Sequence, residues 1–261
     1  MSTLSFADEM AQLQRALAQC HDMVVRRCTV LEALRLRPGE RVLEVGCGGG
    51  FYAYEAARCV GPTGRVCAVD VSADQIAAAR SRCSELVWVD CRRADAVELP
   101  YGNEEFDAVY GVQVFEYVPK LDDALREAHR VLRRGGQLAI FATNWSSMVW
   151  HSANRERMRR ILAAWELHAL YPDLPALLPG LLRRAELQPV RQTPVPVLNT
   201  SFHTNSFSFW LARMIHAFLL GRRTPEADEA EVWLQELDEL ERQGTYFFCS
   251  TPILTEAIRV G

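Results

Sequence analysis

The chain has 261 residues, 49% of them apolar, with 29 basic against 33 acidic side chains and a formal net charge of −4. That length suits one enlarged domain or a domain with an inserted cap. The mild acidity, without a long basic run or basic–aromatic interleaving, argues against nucleic acid as a substrate.

No apolar run approaches the roughly 18 residues of a membrane span, and the N-terminus has no basic segment leading into an apolar one. A cytoplasmic protein without membrane partners is expected. The eight cysteines, Cys20, Cys28, Cys47, Cys59, Cys67, Cys83, Cys91 and Cys249, form no Cys-x-x-Cys pair. They read as reduced, mostly buried thiols with no metal site.

Taken in chain order, residues 6–36 place Met10, Leu13, Leu17, Met23, Val24, Val30, Leu31 and Leu34 at roughly helical spacing before a stop at Pro38-Gly39. They form the expected helical cover, residues 1–38. Next, Arg41 to Val45 is a short apolar run of the kind a buried parallel strand requires. It leads into Glu44-Val45-Gly46-Cys47-Gly48-Gly49-Gly50, and the spacing predicts a helix over Phe51 to Cys59. Strand, glycine turn and helix together make a nucleotide crevice at the carboxyl edge of a parallel sheet.

The spacing narrows the nucleotide. A dinucleotide fold would need a glycine where Phe51 stands, and a phosphate loop would need Gly-Lys-Ser/Thr, whereas the single lysine is Lys120. Glu44 would repel phosphate and suit a ligand with positive charge and an amino group. A second strand, Arg65 to Asp70, ends in a carboxylate able to accept from ribose hydroxyls. Its competing use is as a helix N-cap, a place for which Ser72 is the rival before the helix Ala73 to Arg82.

A third strand is expected at Glu85 to Asp90, ahead of the loop Arg93 to Pro100, and a fourth follows Phe106. The end of the fourth, Gly111 to Tyr117, falls at the carboxyl edge and makes Gln113 and Glu116 pocket candidates. Helix Asp122 to Leu132, the basic-glycine stop Arg133 to Gly136 and strand Gln137 to Thr143 complete five strands alternating with helices. That alternation specifies a doubly wound sheet.

The acidic-x-Gly-x-Gly-x-Gly pattern from Glu44 to Gly50, with Asp70 and Asp95 behind it, resembles the class I S-adenosylmethionine-dependent methyltransferases over about residues 24–143. The resemblance is to their small-molecule type, the ubiquinone and menaquinone biosynthesis group. It implies an α/β, doubly wound, seven-stranded, mostly parallel sheet of Rossmann-like form, with N-terminal helices and a helical lid insertion between strands six and seven. It further implies S-adenosyl-L-methionine as cofactor and S-adenosyl-L-homocysteine as product, held by Glu44, Gly46, Cys47, Gly48, Gly50, Asp70, Val71 and Gly111. In the loop after the third strand, Asp95 would accept from the adenine amine while the Ala96 N–H donates to the ring. Arg26 or Arg27 would pair with the methionine carboxylate; otherwise each is a solvated arginine on a helix. Cys47 looks like a common variant within the loop and has a structural role.

Residues 39–144 are then the cofactor-binding core and 145–261 the substrate side. The latter opens with Trp145, Met148, Trp150 and His151, then predicts helices over Asn154 to His168 and Pro175 to Arg184. A sixth strand is expected near Leu187 to Val197, a helical insertion over about 204–243, and a closing strand pair from Gly244. The insertion carries Phe202, His203, Phe207, Phe209, Trp210, Met214 and Phe218, spaced mostly as a helical face, which makes an apolar roof even where it is core.

Of six histidines, His129 reads as structural and His21, His168 and His216 as helix-surface residues. His151 and Gln113 are therefore the candidates for proton handling, and Trp145, Trp150, His203 and Phe207 for substrate contact. The expected reaction is in-line methyl transfer to a small apolar or aromatic metabolite by a monomer or homodimer. Three alternatives stand beside it. One is an arsenite methyltransferase using the thiolates of Cys20, Cys28 and Cys249; another is a partner subunit that binds S-adenosylmethionine without turnover. An aminopropyl transferase on the same fold is disfavoured for want of polyamine-binding acids.

Overall fold

The computed structural model describes residues 8–260. In chain order the first half forms α1 (Asp8–Leu17), α2 (His21–Leu34), β1 (Arg41–Val45), α3 (Phe51–Val60), β2 (Arg65–Asp70), α4 (Ala73–Arg82), β3 (Val89–Arg93) and β4 (Phe106–Val112). Then come α5 (Leu121–Val131), β5 (Leu132–Ala142), β6 (Val149–Trp150), α6 (Arg155–Glu166), α7 (Leu174–Arg184), β7 (Leu187–Pro194) and β8 (Val197–Asn199). The chain closes with α8 (Phe207–Arg222), α9 (Glu226–Arg242), β9 (Phe248–Ser250) and β10 (Ile253–Arg259). Residues 1–7, which begin the expected N-terminal cover, lie outside the described residues. Among the described residues no helix is long and apolar enough to cross a membrane.

These elements gather into two compact units. One comprises residues 27–142, 174–194 and 253–260 and is built on a seven-stranded sheet of order β3-β2-β1-β4-β5-β10-β7. Neighbours from β3 to β5 pair in parallel, while β10 runs antiparallel to both β5 and β7. This is the doubly wound, seven-stranded, mostly parallel Rossmann-like sheet of the methyltransferase fold. Val42, Leu43, Val66, Ala68, Ala108, Val109 and Leu138 are fully or almost fully buried, as strands covered on both faces require.

The other unit comprises residues 8–26, 143–173 and 195–252. Its helices α1, α8, α9 and α6 pack on one another, beside a three-stranded antiparallel sheet of order β6-β9-β8. Two aromatic clusters fill its core. In one, Trp165 stacks on His168 with ring centroids 3.7 Å apart, edged by Trp145 and Phe218. In the other, Trp150 meets Trp233 at 4.8 Å and Phe248 at 4.5 Å.

Four local expectations are corrected. The third strand runs Val89–Arg93 rather than Glu85 to Asp90: Leu86 to Trp88 form a turn, and Trp88 Nε1 donates to the Ala57 carbonyl at 2.9 Å. The fifth strand begins at Leu132, which pairs with Phe106 before an irregularity in register, so the basic-glycine stop lies inside the strand. The closing pair from Gly244 is split between sheets at Thr251-Pro252: β9 joins β6 and β8, whereas β10 joins β5 and β7. His168 is not a helix-surface residue, because α6 ends at Glu166 and the chain folds the imidazole back into the core.

Candidate functional site

The glycine turn leaves β1 with Gly46 and Cys47 both donating their N–H groups to the Val69 carbonyl, at 2.8 and 2.9 Å. This ties the turn to the end of β2. Gly48 takes φ +49, and a Cβ there would meet nothing nearer than the Gln75 amide oxygen at 4.0 Å. Gly50 takes φ +76 and has no such space, since its Cβ would stand 2.8 Å from the Ala79 backbone of α4. One glycine thus keeps the crevice open, and the other lets two helices close behind it.

Asp70 sits at the end of β2, half-buried. Its Oδ2 accepts from the Gly48 N–H and its Oδ1 from the Ser72 N–H, both at 2.9 Å. The N-cap of α4 is Ser72, whose hydroxyl accepts from the Gln75 N–H. Asp70 is therefore free of capping duty and holds one face of the crevice, and each oxygen has a lone pair left for a hydroxyl donor. Val71, next along, leaves 59% of its surface exposed.

The loop after β3 is hung on this corner. Ala94 N–H donates to the Asp70 carbonyl at 3.1 Å and Arg93 Nε to the Val71 carbonyl at 2.9 Å. Asp95 is exposed and folds an Asx turn onto the Val97 N–H, with Ala96 buried behind it. On the other flank, Gly111 is the last residue but one of β4, where a Cβ would strike the Phe115 ring. Gln113, half-buried, takes φ 54, a strained conformation for a residue with a Cβ, and its N–H donates to the Phe141 carbonyl at 2.8 Å.

Glu44 is the fourth residue of β1. Its side chain is buried, with the Tyr110 hydroxyl and the Ala53 N–H beside it. Desolvation drives the carboxyl well above the usual carboxylate range, and those two neighbours only partly offset this. Burial likewise pushes the Cys47 thiol up, with the nearby Glu44 and Asp70 adding to the effect.

Two arginines flank Phe51 at the start of α3. Arg27 pairs with Glu55 at 2.9 Å, and Arg82 stacks on the Phe51 ring at 3.5 Å while donating to the Gly49 carbonyl. Arg26 falls at the last position of the other unit's N-terminal segment. In the sheet unit, then, Glu44, Gly46, Cys47, Gly48, Gly50, Asp70, Val71, Asp95, Ala96, Gly111 and Gln113 converge on the carboxyl ends of β1 to β4.

The remaining candidates lie in the helical unit. Trp145 is buried against Trp165 and His168, and Phe207 against Phe248. Trp150 is buried and donates from Nε1 to the Tyr246 hydroxyl at 3.1 Å. His203 is exposed and accepts from the Asn205 N–H, closing the turn before α8. His151 is exposed, with its N–H tied to the Phe247 carbonyl at 2.9 Å.

Glu236, which the sequence did not single out, clamps the segment after His151. It accepts from the Ser152 hydroxyl, from the Ala153 N–H at 2.6 Å and from Arg157. Only its place in an acidic helix was visible in the sequence. No group of three His, Cys, Asp or Glu side chains among the described residues is placed to hold a metal ion. Cys20, Cys28 and Cys249 are buried, exposed and half-buried respectively.

Comparison with known proteins bears on the crevice directly. Residues 43–140, which run from β1 into β5, match the family model of the methyltransferase domain. Over those residues the chain is similar to S-adenosylmethionine-dependent methyltransferases. Methyltransferase GfsG of Streptomyces halstedii is 40% identical over 114 residues, 42% of this chain and 40% of that protein. The 2-phytyl-1,4-naphtoquinone methyltransferase of Synechococcus elongatus is 36% identical over 110 residues, 40% of this chain and 46% of that one. The chain thus spans under half the length of either relative. The crystal structure of the [4+2]-cyclase SpnF aligns with a TM-score of 0.59 and 27% identity, covering 91% of this chain and 81% of that chain.

The methyltransferase domain implies S-adenosylmethionine as its cofactor, and the residues present fit it. The open space at Gly48, the Asp70 carboxylate, the exposed apolar Val71 and the Asp95–Ala96 loop fixed beside it offer partners for a ribose and an adenine in one crevice.

Proposed function

We propose that this chain transfers a methyl group from S-adenosylmethionine to a small apolar or aromatic molecule. The observation that carries the reading is Asp70, which anchors the glycine turn and the α4 entry while keeping lone pairs on the crevice side. When bound, S-adenosylmethionine supplies a methyl group on positively charged sulfur, which an acceptor atom displaces in line.

The chain's own residues bind and orient. Asp70 takes the ribose hydroxyls, Val71 covers one face of the adenine, and Asp95 with the Ala96 N–H reads the adenine edge. The backbone at Gln113, held in its strained form by Phe141, orients that amide at the carboxyl end of β4. Phenols and amines lose the acceptor proton readily, whereas a carbon acid needs a base.

The test couples two measurements. Calorimetry should show S-adenosylmethionine binding that Asp70→Ala weakens at least about tenfold. A panel of phenols, amines and carbon acids should then identify an acceptor by release of S-adenosylhomocysteine. Binding that is absent, or indifferent to Asp70→Ala, overturns the reading.

A second reading is favoured by the likeness to SpnF, a [4+2]-cyclase. On that reading the chain keeps the cofactor crevice and closes a ring in its substrate. Consumption of substrate without release of S-adenosylhomocysteine would select it.

A further inference from the structure

The helical unit holds an open groove of about 580 Å³ between β6, α6 and the segment before β9. Its apolar lining includes Trp150, Met158, Leu162 and Phe247, and Phe247 is left 39% exposed. An apolar wall of this size with a few polar groups is the usual make-up of a small-molecule site.

The polar groups here are of one sign. Arg155, Met158, Arg159 and Leu162 follow one another at positions i, i+3, i+4 and i+7 of α6, so they share a face. The two arginines between them, Arg157 and Arg160, are committed elsewhere, to Glu236 and Glu229 on α9. Arg155 makes no ion pair among the described residues. Arg159 pairs only with Glu156 at 3.0 Å, with both side chains 71% exposed, an arrangement worth little and easily exchanged. Among the described residues no carboxylate lines the groove. His151 stands at its edge, fixed through Phe247 on one side and the Glu236 clamp on the other.

We propose that this groove receives an apolar small molecule bearing an anionic group, which Arg155 and Arg159 read. Guanidinium groups select carboxylate-like geometry by paired hydrogen bonds, and the apolar wall rejects anions that lack a hydrocarbon body.

A matched pair of probes tests the site: 1-pyrenebutyrate and 1-pyrenebutanol, alike in body and different in charge, titrated by fluorescence with and without saturating S-adenosylhomocysteine. The butyrate should bind about tenfold more tightly than the alcohol to the wild-type chain. In Arg155→Gln/Arg159→Gln the two affinities should come within about twofold of each other, with the alcohol's unchanged. Phe247→Asp should weaken both probes. Equal binding by the wild type, a preference that survives the double substitution, or displacement by S-adenosylhomocysteine would overturn the site.

Discussion

The Gly48 N–H and the Asp70 carboxylate are joined at 2.9 Å, which makes the shape of the glycine turn depend on the last residue of the neighbouring strand. The same carboxylate holds the Ser72 N–H, so three consecutive parts of the crevice share one side chain. Asp70→Ala removes an acceptor from two backbone donors and is expected to cost about 1–3 kcal/mol of stability as well as cofactor affinity. Asp70→Asn preserves the size and one acceptor oxygen. It should recover part of the stability but little of the affinity, since a neutral amide binds hydroxyl donors less strongly. Urea unfolding beside calorimetry separates the two effects; equal recovery of both would mean that Asp70 serves the fold alone.

Two glycines of the same turn should fail in different ways. Gly50→Ala brings a Cβ to 2.8 Å from the backbone of α4 at a positive φ, and should destabilise the chain by about 2–4 kcal/mol. Gly48→Ala meets only open space and backbone strain, so its stability cost should be near 1 kcal/mol. Its loss should instead appear in S-adenosylmethionine binding. A Gly48→Ala chain that binds as the wild type does would show that the open side of the turn is not the cofactor's.

The glycine turn could be read from the sequence because its physics is local: an apolar run, three alternating glycines and a helix are adjacent in the chain. β3 could not be placed as well. It lies at the edge of the sheet and carries Asp90, Arg92 and Arg93, paired in part with Arg65 of β2, whereas the apolar residues before it serve a turn. The helical unit was harder still, being assembled from residues 8–26, 143–173 and 195–252, whose association no local pattern announces. His168 shows the consequence. Two residues beyond α6, its burial is decided by Trp145 and Phe218, each more than twenty residues away in the chain.

That imidazole should make stability depend on pH. Desolvation lowers the folded-state pKa of His168 from an ordinary 6.5 to about 3, while the Trp165 carbonyl offsets a small part. Above pH 6.5 the ring is neutral in both folded and unfolded chains and contributes no pH dependence. As pH falls from 6.5 towards 3, the unfolded chain takes up a proton that the folded chain refuses. Stability should therefore decline across that window, by up to about 1.4 kcal/mol per pH unit from this group. His168→Phe, which keeps an aromatic ring against Trp165, should flatten the decline between pH 4 and 6. Parallel slopes for the two proteins would show that His168 titrates normally.

The thiols offer a test of the crevice's depth. Cys28 and Cys59 are exposed, whereas Cys20, Cys47, Cys67, Cys83 and Cys91 are buried. Brief alkylation with iodoacetamide, read by peptide mass spectrometry, should mark Cys28 first. Cys59 should follow more slowly, because partial burial and Glu55 hold its thiol up and reduce the thiolate. Cys47 should react only when the chain unfolds, since burial keeps it protonated. Rapid labelling of Cys47 in the native chain would contradict the closed underside of the turn, and fast joint modification of Cys20 and Cys249 would revive a thiolate chemistry.

Glu236 provides the last expectation. Its carboxylate and the Arg157 guanidinium are both largely withdrawn from water, at 14% and 12% side-chain exposure. Removing one charge from such a pair leaves the other buried and costs about 3–5 kcal/mol, whereas removing both together often costs far less. Glu236→Met should therefore be strongly destabilising, and Glu236→Met/Arg157→Met should recover more than about 1 kcal/mol of the loss. Recovery should be incomplete, because the Ser152 hydroxyl and the Ala153 N–H also lose their acceptor. Those two groups sit directly after His151, so the double variant should also loosen the groove edge and weaken 1-pyrenebutyrate and 1-pyrenebutanol alike, which charge removal at Arg155 and Arg159 would not do. Full recovery of stability with unchanged probe binding would reduce Glu236 to a partner of Arg157 and end its role in positioning the His151 segment.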